Sequence, residues 1–205
     1  MRNADQQAPR AHGPGAAGKR QRGVAAVEFA LLVIVFFMLV FGVLEIARLI
    51  YLFNTLQEVT RRAAVLAMNS PFDQSAQDNV RKQALFQDRD GHLVLGAPVT
   101  FAHLRLEYLS LSRPASGQLA LLPVNPLPAS PAANRLNCLA DPYAANCIRY
   151  IRVQVCQPGS SSNCDRVPYR ALFPLIDLSQ LGLPRAQTLV PAQSLGYQPG
   201  DVPAL

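Results

Sequence analysis

The sequence lacks the residue patterns on which many catalytic sites depend. Its three histidines, His12, His92 and His103, are scattered along the 205 residues. No G-x-S-x-G, H-E-x-x-H or P-loop motif is present. A membrane-tethered enzyme is one hypothesis for this chain, but the sequence contains no recognisable catalytic motif that would support it. We therefore predict that the chain is not an enzyme, that it holds no cofactor or metal and that it takes no small-molecule substrate.

Proline and charge are missing from one long stretch near the amino terminus. Residues 24–70 contain no proline, and residues 29–44 contain no charged or strongly polar side chain. Residues 24–44 form an apolar run of 21 residues that only Glu28 interrupts. A helix of this length spans roughly 30 Å, the thickness of a bilayer's hydrocarbon core. A buried core helix is the alternative, but it would carry a polar face. We predict a transmembrane helix over residues 24–50.

The helical pattern continues beyond this run. Glu58 and Arg62 are four residues apart with the acid first, an order that stabilises helices. An apolar stripe with helical spacing accompanies them: Leu52, Leu56, Val59 and Ala63. We predict one helix from about Val24 to Met68, with residues 51–69 outside the bilayer and one face in need of cover.

Acidic residues are scarce before the apolar run. Asp5 is the one acid there, against five basic residues: Arg2, Arg10, Lys19, Arg20 and Arg22. A basic flank of this kind stays cytoplasmic. A nucleic-acid-binding arm is the alternative, but the basic residues cluster beside the apolar run and no aromatic residue interleaves them. We predict a cytoplasmic basic leader at residues 1–23, an extracytoplasmic head at residues 70–205 and no nucleic-acid partner.

No small-residue A-x-A cleavage pattern follows the apolar run, which is also longer than that of a secretory signal. The helix is therefore expected to anchor the chain. The predicted location is the inner (cytoplasmic) membrane, crossed once, with the head in the periplasm or outside the cell.

Cysteine is absent before the apolar run. Four cysteines follow it, spaced by nine, nine and eight residues: Cys138, Cys147, Cys156 and Cys164. An even number beyond the membrane segment indicates disulfides in an oxidising compartment. Zinc is the alternative, but its ligands usually come as closer pairs. Strand parity places Cys147 and Cys156 on opposite faces of one extended segment, which excludes a bond between them. Of the two remaining connectivities we favour Cys138–Cys147 with Cys156–Cys164.

The head shows signals for helix and strand. We predict that Ser70 and Pro71 begin a second helix, with Asp73 completing a capping box, and that this helix folds back onto the first. Residues 103–111 and 147–156 read as strands. Five prolines between residues 114 and 134 predict an irregular excursion: Pro114, Pro123, Pro126, Pro128 and Pro131. The predicted fold class is α+β, a long membrane-spanning helix continuing into a small disulfide-containing head with a second helix and a few antiparallel strands.

Several segments resemble one family. "RGVAAVEF", with Gly23 followed at the fifth position by Glu28 and then Phe29, resembles the cleavage region of type IV prepilins in its Flp/Tad form. Residues 25–64 resemble the TadE-like domain, including an apolar-Phe-Gly-x-x-Glu-x-x-Arg arrangement: Phe41, Gly42, Glu45 and Arg48. Residues 188–200, "TLVPAQSLGYQPG", resemble the end of longer pseudopilin-like members.

The resemblance implies a minor pilin or pseudopilin of a tight-adherence (Flp) pilus. A prepilin peptidase would cut between Gly23 and Val24, and other pilins, assembly platform proteins and the membrane would be partners. The new amino terminus at Val24 could pair with Glu28 of a neighbouring subunit and set axial register, with Phe29 beside it. The alternative is an uncleaved single-pass anchor that serves as a docking subunit of an envelope or secretion complex.

Glu45 and Arg48 leave two interpretations open. They lie about 25–30 Å along the helix from Glu28, where we expect both charges to reach water or lipid headgroups. One interpretation is a surface ion pair within the chain, worth at most about 1 kcal/mol. The other is a contact with a neighbouring helix in the assembled complex, where desolvation raises its weight. The resemblance favours the second.

Overall fold

The first helix, α1, spans Gln21–Ala67 and contains 47 residues. It is the long helix that the sequence predicts, and a stretch without proline allows it to continue unbroken. The computed structural model describes residues 21–86, 91–114, 117–160, 163–173 and 180–200. Most of the predicted leader, residues 1–20 with His12, therefore lies outside the described residues.

The chain divides into two units within α1. The first unit is Met1–Val43 and contains the apolar part of the helix. The second unit is Leu44–Leu205 and contains the remainder of α1 and the head.

Four antiparallel strands form the sheet of the head: β1 (Leu104–Ser112), β2 (Ala120–Pro123), β3 (Tyr150–Val155) and β4 (Gln187–Pro191). Their order across the sheet is β2-β1-β3-β4. β1 and β3 lie in the two segments that alternate in the sequence. β4 was not predicted, because it begins at Gln187 within a stretch that carries little strand signal.

One face of the sheet packs on α1. The buried side chains of β1 and β3 meet across the register, as in Leu106 opposite Val153. On β4, Thr188 lies opposite Val153, and its hydroxyl is 3.0 Å from that of Thr60 on α1. The predicted stripe on α1 is buried in the same core: Leu52, Leu56, Val59 and Ala63. The sheet therefore supplies the cover that this face of the helix requires.

The second helix, α2, spans Gln74–Ala84 and begins later than the sequence indicates. Asp73 is its N-cap and accepts a hydrogen bond from the Ala76 amide at 3.0 Å. The hydrogen bond from the Ser75 hydroxyl lowers the pKa of Asp73 most, and the bond from the Ala76 amide lowers it further. The prediction that Ser70 caps α2 is wrong, because the Ser70 hydroxyl donates to the Leu66 carbonyl at 2.9 Å and closes the last turn of α1.

A third helix, α3, spans Pro131–Ala140 and lies partly in the segment predicted to be irregular. Ser130 caps it by accepting from the Ala133 amide at 3.1 Å, and Pro131 occupies the first turn. Proline suits this position because its fixed φ is helical and its missing N–H would have no partner there. The prediction of an irregular excursion over residues 114–134 is therefore wrong in part, since it also contains β2.

Two disulfides join neighbouring cysteines, as the sequence favours. Cys138 on α3 is bonded to Cys147, which precedes β3. Cys156, directly after β3, is bonded to Cys164. The first bridge thus fixes α3 to the beginning of β3, and the second fixes the loop that contains Cys164 to the end of β3.

We predict that Cys138→Ala with Cys147→Ala lowers the free energy of unfolding of the head by about 2–3 kcal/mol. The bridge closes a loop with a sequence separation of nine residues, so its removal frees the unfolded chain. Urea unfolding of the full chain in detergent, followed by near-ultraviolet circular dichroism, measures the change. A non-reducing peptide map of the unaltered protein should join Cys138 to Cys147, and a free thiol or a Cys138–Cys156 link would contradict the pairing.

Candidate functional site

The amino-terminal part of α1 exposes apolar side chains around its circumference. In the first unit these side chains include: Val27, Phe29, Leu32, Val35, Phe36 and Leu39. The helix from Gly23 to Ala67 is long and apolar enough to cross a membrane by length and composition. A water-exposed surface of this kind is unfavourable, whereas lipid or other apolar helices would cover it without penalty.

The residues of the predicted cleavage region lie on this exposed helix. Gly23 has open space around it, since an added Cβ would have no atom within 4 Å. Glu28 and Phe29 are both exposed, and Phe29 retains 69% of its accessible surface. The helix therefore presents a carboxylate and an aromatic ring side by side at the beginning of the apolar surface.

Glu45 and Arg48 occupy a different setting. Their side chains form an ion pair, with 3.3 Å between Arg48 Nη1 and Glu45 Oε1 and exposed fractions of 6% for Arg48 and 12% for Glu45. The expectation that both charges reach water or headgroups is therefore wrong. The head covers them, and both belong to the second unit.

Arg48 donates hydrogen bonds to backbone carbonyls of two separate loops. Its Nε is 2.8 Å from the Leu95 carbonyl oxygen, and its Nη2 is 3.4 Å from that of Ala97. Its Nη1 is 2.6 Å from the carbonyl oxygen of Arg170. A guanidinium has five N–H donors in a fixed plane, which suits it to hold several acceptors at once.

Tyr169 connects the two charges. Its hydroxyl donates to the Glu45 carboxylate and accepts from Arg48 Nη1 at 3.2 Å. Burial and the hydrogen bond to Glu45 raise the pKa of Tyr169 to about 12, so its proton stays in place at neutral pH. Glu45 also accepts from the Leu172 amide, at 3.2 Å to Oε2. We call Glu45, Arg48, Tyr169 and the backbone groups of Leu95, Ala97, Arg170 and Leu172 the collar cluster.

Sequence reasoning identified two members of the collar cluster and missed the others. Most of the missing members act through backbone carbonyls or an amide, which every residue type carries, so no sequence signal marks them. Tyr169 acts through its side chain, but it lies 121 residues from Arg48, and nothing local links the two. Both interpretations of the Glu45–Arg48 pair omitted the head as its binding partner.

Among the described residues, no group of three His, Cys, Asp or Glu side chains could hold a metal ion. His103 contacts its own turn, where its Nδ1 accepts from the Thr100 amide at 3.0 Å. Burial lowers the pKa of His103. Its observed role is to close the short 3-10 turn, residues 101–103, before β1.

We predict that exchanging the charges, with Glu45→Arg and Arg48→Glu, destabilises the head by about 3–5 kcal/mol, the usual result of breaking a buried ion pair. The introduced arginine would face the Tyr169 hydroxyl and the Leu172 amide, and the introduced glutamate would face carbonyl oxygens. Urea unfolding of the full chain in detergent measures the change.

The control is the same exchange at Glu58 and Arg61. This pair has the same spacing on the same helix, but its side chains are 62% and 74% exposed and 3.9 Å apart. Its exchange should change stability by at most about 1 kcal/mol. Equal effects of the two exchanges would contradict a buried collar cluster.

Comparison with known families assigns the helix that carries these residues. Residues 23–65, which are 43 of the 205 residues, match the model of the family described as TadE-like protein. No curated protein and no solved structure matches the chain. The matched segment begins at Gly23 and includes Glu28, Glu45 and Arg48. Residues 23–65 are therefore similar to the TadE-like family, and the match does not extend to the head.

Proposed function

We propose that the chain is a minor pilin or pseudopilin that contributes to the assembly or adhesive function of a Flp/Tad-type pilus. The TadE-like match supports involvement in a Tad pilus system and, together with the apolar helix, a membrane-anchored location in the cell envelope. The observation that carries the finer proposal is the exposed apolar helix with Glu28 near its amino-terminal end. In a pilus subunit such a helix would anchor the chain in the membrane before assembly and would pack against the helices of neighbouring subunits after it.

The proposed processing step is a cut by a prepilin peptidase between Gly23 and Val24. Glycine at this position has no side chain to obstruct the approach of a protease to the backbone. The open space around Gly23 supports this assignment, because no packing requirement of the described structure explains a glycine there. After the cut, Val24 carries a positively charged amino group.

Glu28 is the proposed partner of that charge in a neighbouring subunit. A charged side chain without a partner inside an apolar helix assembly costs about 2.5–3.5 kcal/mol or more. Two subunits aligned so that the Val24 amino group meets Glu28 avoid this loss, whereas a shifted pair does not. Phe29 adds apolar contact area beside the same point. In this arrangement Glu28 and Phe29 act between subunits, while Glu45 and Arg48 support assembly by holding the head on the helix.

We predict that Gly23→Val prevents leader removal. The chain has a mass of 22.3 kDa over 205 residues, so a leader of 23 residues accounts for about 2.5 kDa. In the presence of the peptidase the variant should migrate as the heavier precursor, because the added side chain blocks access to the backbone.

Gly42→Val is the matched control, because a Cβ at Gly42 also meets nothing within 4 Å. This variant should be processed like the unaltered chain. Sequencing of the membrane-extracted protein should find Val24 as the mature amino terminus. An intact leader on the unaltered protein would overturn the pilin assignment and support the uncleaved docking subunit.

We predict that Glu28→Ala lowers recovery of the protein in sheared fibres without altering membrane insertion or the two disulfides. Glu28 is exposed on the first unit, so folding of the head should not require it. Glu58→Ala is the control, since Glu58 is an exposed carboxylate on the same helix beyond the apolar run. Equal incorporation of the Glu28 variant and the control would overturn the register role.

A further inference from the structure

Two loops of the head present apolar side chains beside α1. Val94 and Leu95 are 70% and 58% exposed, and Leu172 is 52% exposed. We call these three side chains the apolar tips. Single exposed apolar residues are ordinary on protein surfaces. The apolar tips differ because both loops are bound to the same turn of one helix.

The collar cluster sets the position of the apolar tips. The Leu95 carbonyl accepts from Arg48 Nε, and the Leu172 amide donates to Glu45. Glu45 and Arg48 are three residues apart, so both loops meet α1 within a single turn. That turn directly follows the apolar run, which ends at Leu44.

The backbone of the first loop is internally hydrogen-bonded. The Leu93 amide donates to the Val99 carbonyl at 2.8 Å, and the Gly96 amide donates to the Leu93 carbonyl at 2.7 Å. The turn is tight, since a Cβ at Gly96 would lie 2.7 Å from Leu93 Cδ2. Arg48 donates hydrogen bonds to the carbonyls of Leu95 and Ala97 in the same loop. Irregular backbone tolerates an apolar medium only when its polar groups are bonded in this way.

The exposed surface of α1 at the same level is also apolar. Ile46 and Ile50 are exposed, and so is Phe53. The two charges of this turn face the head, where Arg48 is buried and the Glu45 side chain is 12% exposed. The second unit therefore has an apolar surface that combines these three side chains of α1 with the apolar tips.

We propose that the apolar tips enter the leaflet of the membrane on the side of the head, where they contact lipid acyl chains beside α1. This inference rests on the proposed membrane span of α1 and does not depend on leader cleavage or on a pilus. Arg170, next to the buried Tyr169, is exposed and suits the phosphate groups of lipids at this depth. Within the second unit, the apolar tips lie at the level of the exposed Ile46 and Ile50 of α1, and this shared apolar surface favours lipid over a second protein.

The test uses tryptophan, which the sequence lacks, so a single introduced indole gives an unambiguous signal. The full chain carrying Val94→Trp or Leu172→Trp is reconstituted in phosphatidylcholine vesicles with and without bromine on the acyl chains. Bromine quenches an indole only on contact. The control is Leu139→Trp on α3, where the leucine is 72% exposed.

Leu139 is a suitable control because α3 lies at the opposite end of the head. It shares a surface cleft with Tyr197 and Ser194, and nearby the Leu195 amide donates to the Met68 carbonyl. Met68 is 20 residues beyond Arg48, about 30 Å further along the helix direction.

The expected result is a loss of emission in brominated vesicles for both Val94→Trp and Leu172→Trp, with equal emission in the two vesicle types for Leu139→Trp. Unquenched emission at both apolar tips, in protein that resists carbonate extraction, would overturn the inference and leave the membrane span standing. A blue-shifted emission without quenching would assign the apolar tips to a protein partner and would also overturn it. Release of the protein by carbonate would instead overturn the membrane span itself.

Discussion

The hydrogen bonds of the Arg48 guanidinium hold the head on its helix. A buried cation is stable only when its donors are bonded and a counter-charge is near. Arg48 meets both requirements with the carboxylate of Glu45 and with carbonyls from loops that are 47 to 122 residues distant. The same bonds fix the two loops against a single turn of α1. Loss of the guanidinium would leave the Glu45 carboxylate without its counter-charge and the carbonyls of Leu95, Ala97 and Arg170 without this donor.

Local patterns in the sequence predict the helices and strands of this fold better than they predict the contacts between those elements. The length of α1 and the strands β1 and β3 follow from periodicity, and strand parity narrows the cysteine pairings to two, of which the favoured one is observed. The collar cluster could be predicted only as far as Glu45 and Arg48. Its other members contribute mainly backbone groups, and their position depends on how the whole head packs. β4 was not predicted because its conformation also depends on a distant contact. Its pairing with β3 determines that conformation more than its own composition does.

The dipeptide Ser-Pro occurs at two helix boundaries, where it marks the start of one helix and the end of another. Ser130 begins α3, and its hydroxyl accepts from the Ala133 amide. Ser70 follows the last turn of α1, where a helix carbonyl lies within its reach, and its hydroxyl donates to Leu66 instead. Asp73 then supplies the cap for α2. A serine hydroxyl can both donate and accept, so its role depends on which backbone groups are unpaired nearby.

The two glutamates of α1 differ in their surroundings. Glu45 has its partners within the chain, in Arg48, Tyr169 and the Leu172 amide. Glu28 is exposed among apolar side chains, where an apolar surrounding would leave a carboxylate unstable without a cation from outside. Glu28 is therefore the residue of our proposed contact with a neighbouring subunit, whereas the observed contacts of Glu45 lie within the head. The intermolecular Glu45–Arg48 contact that the sequence favours stays a prediction, beside the observed contacts of this pair with the head.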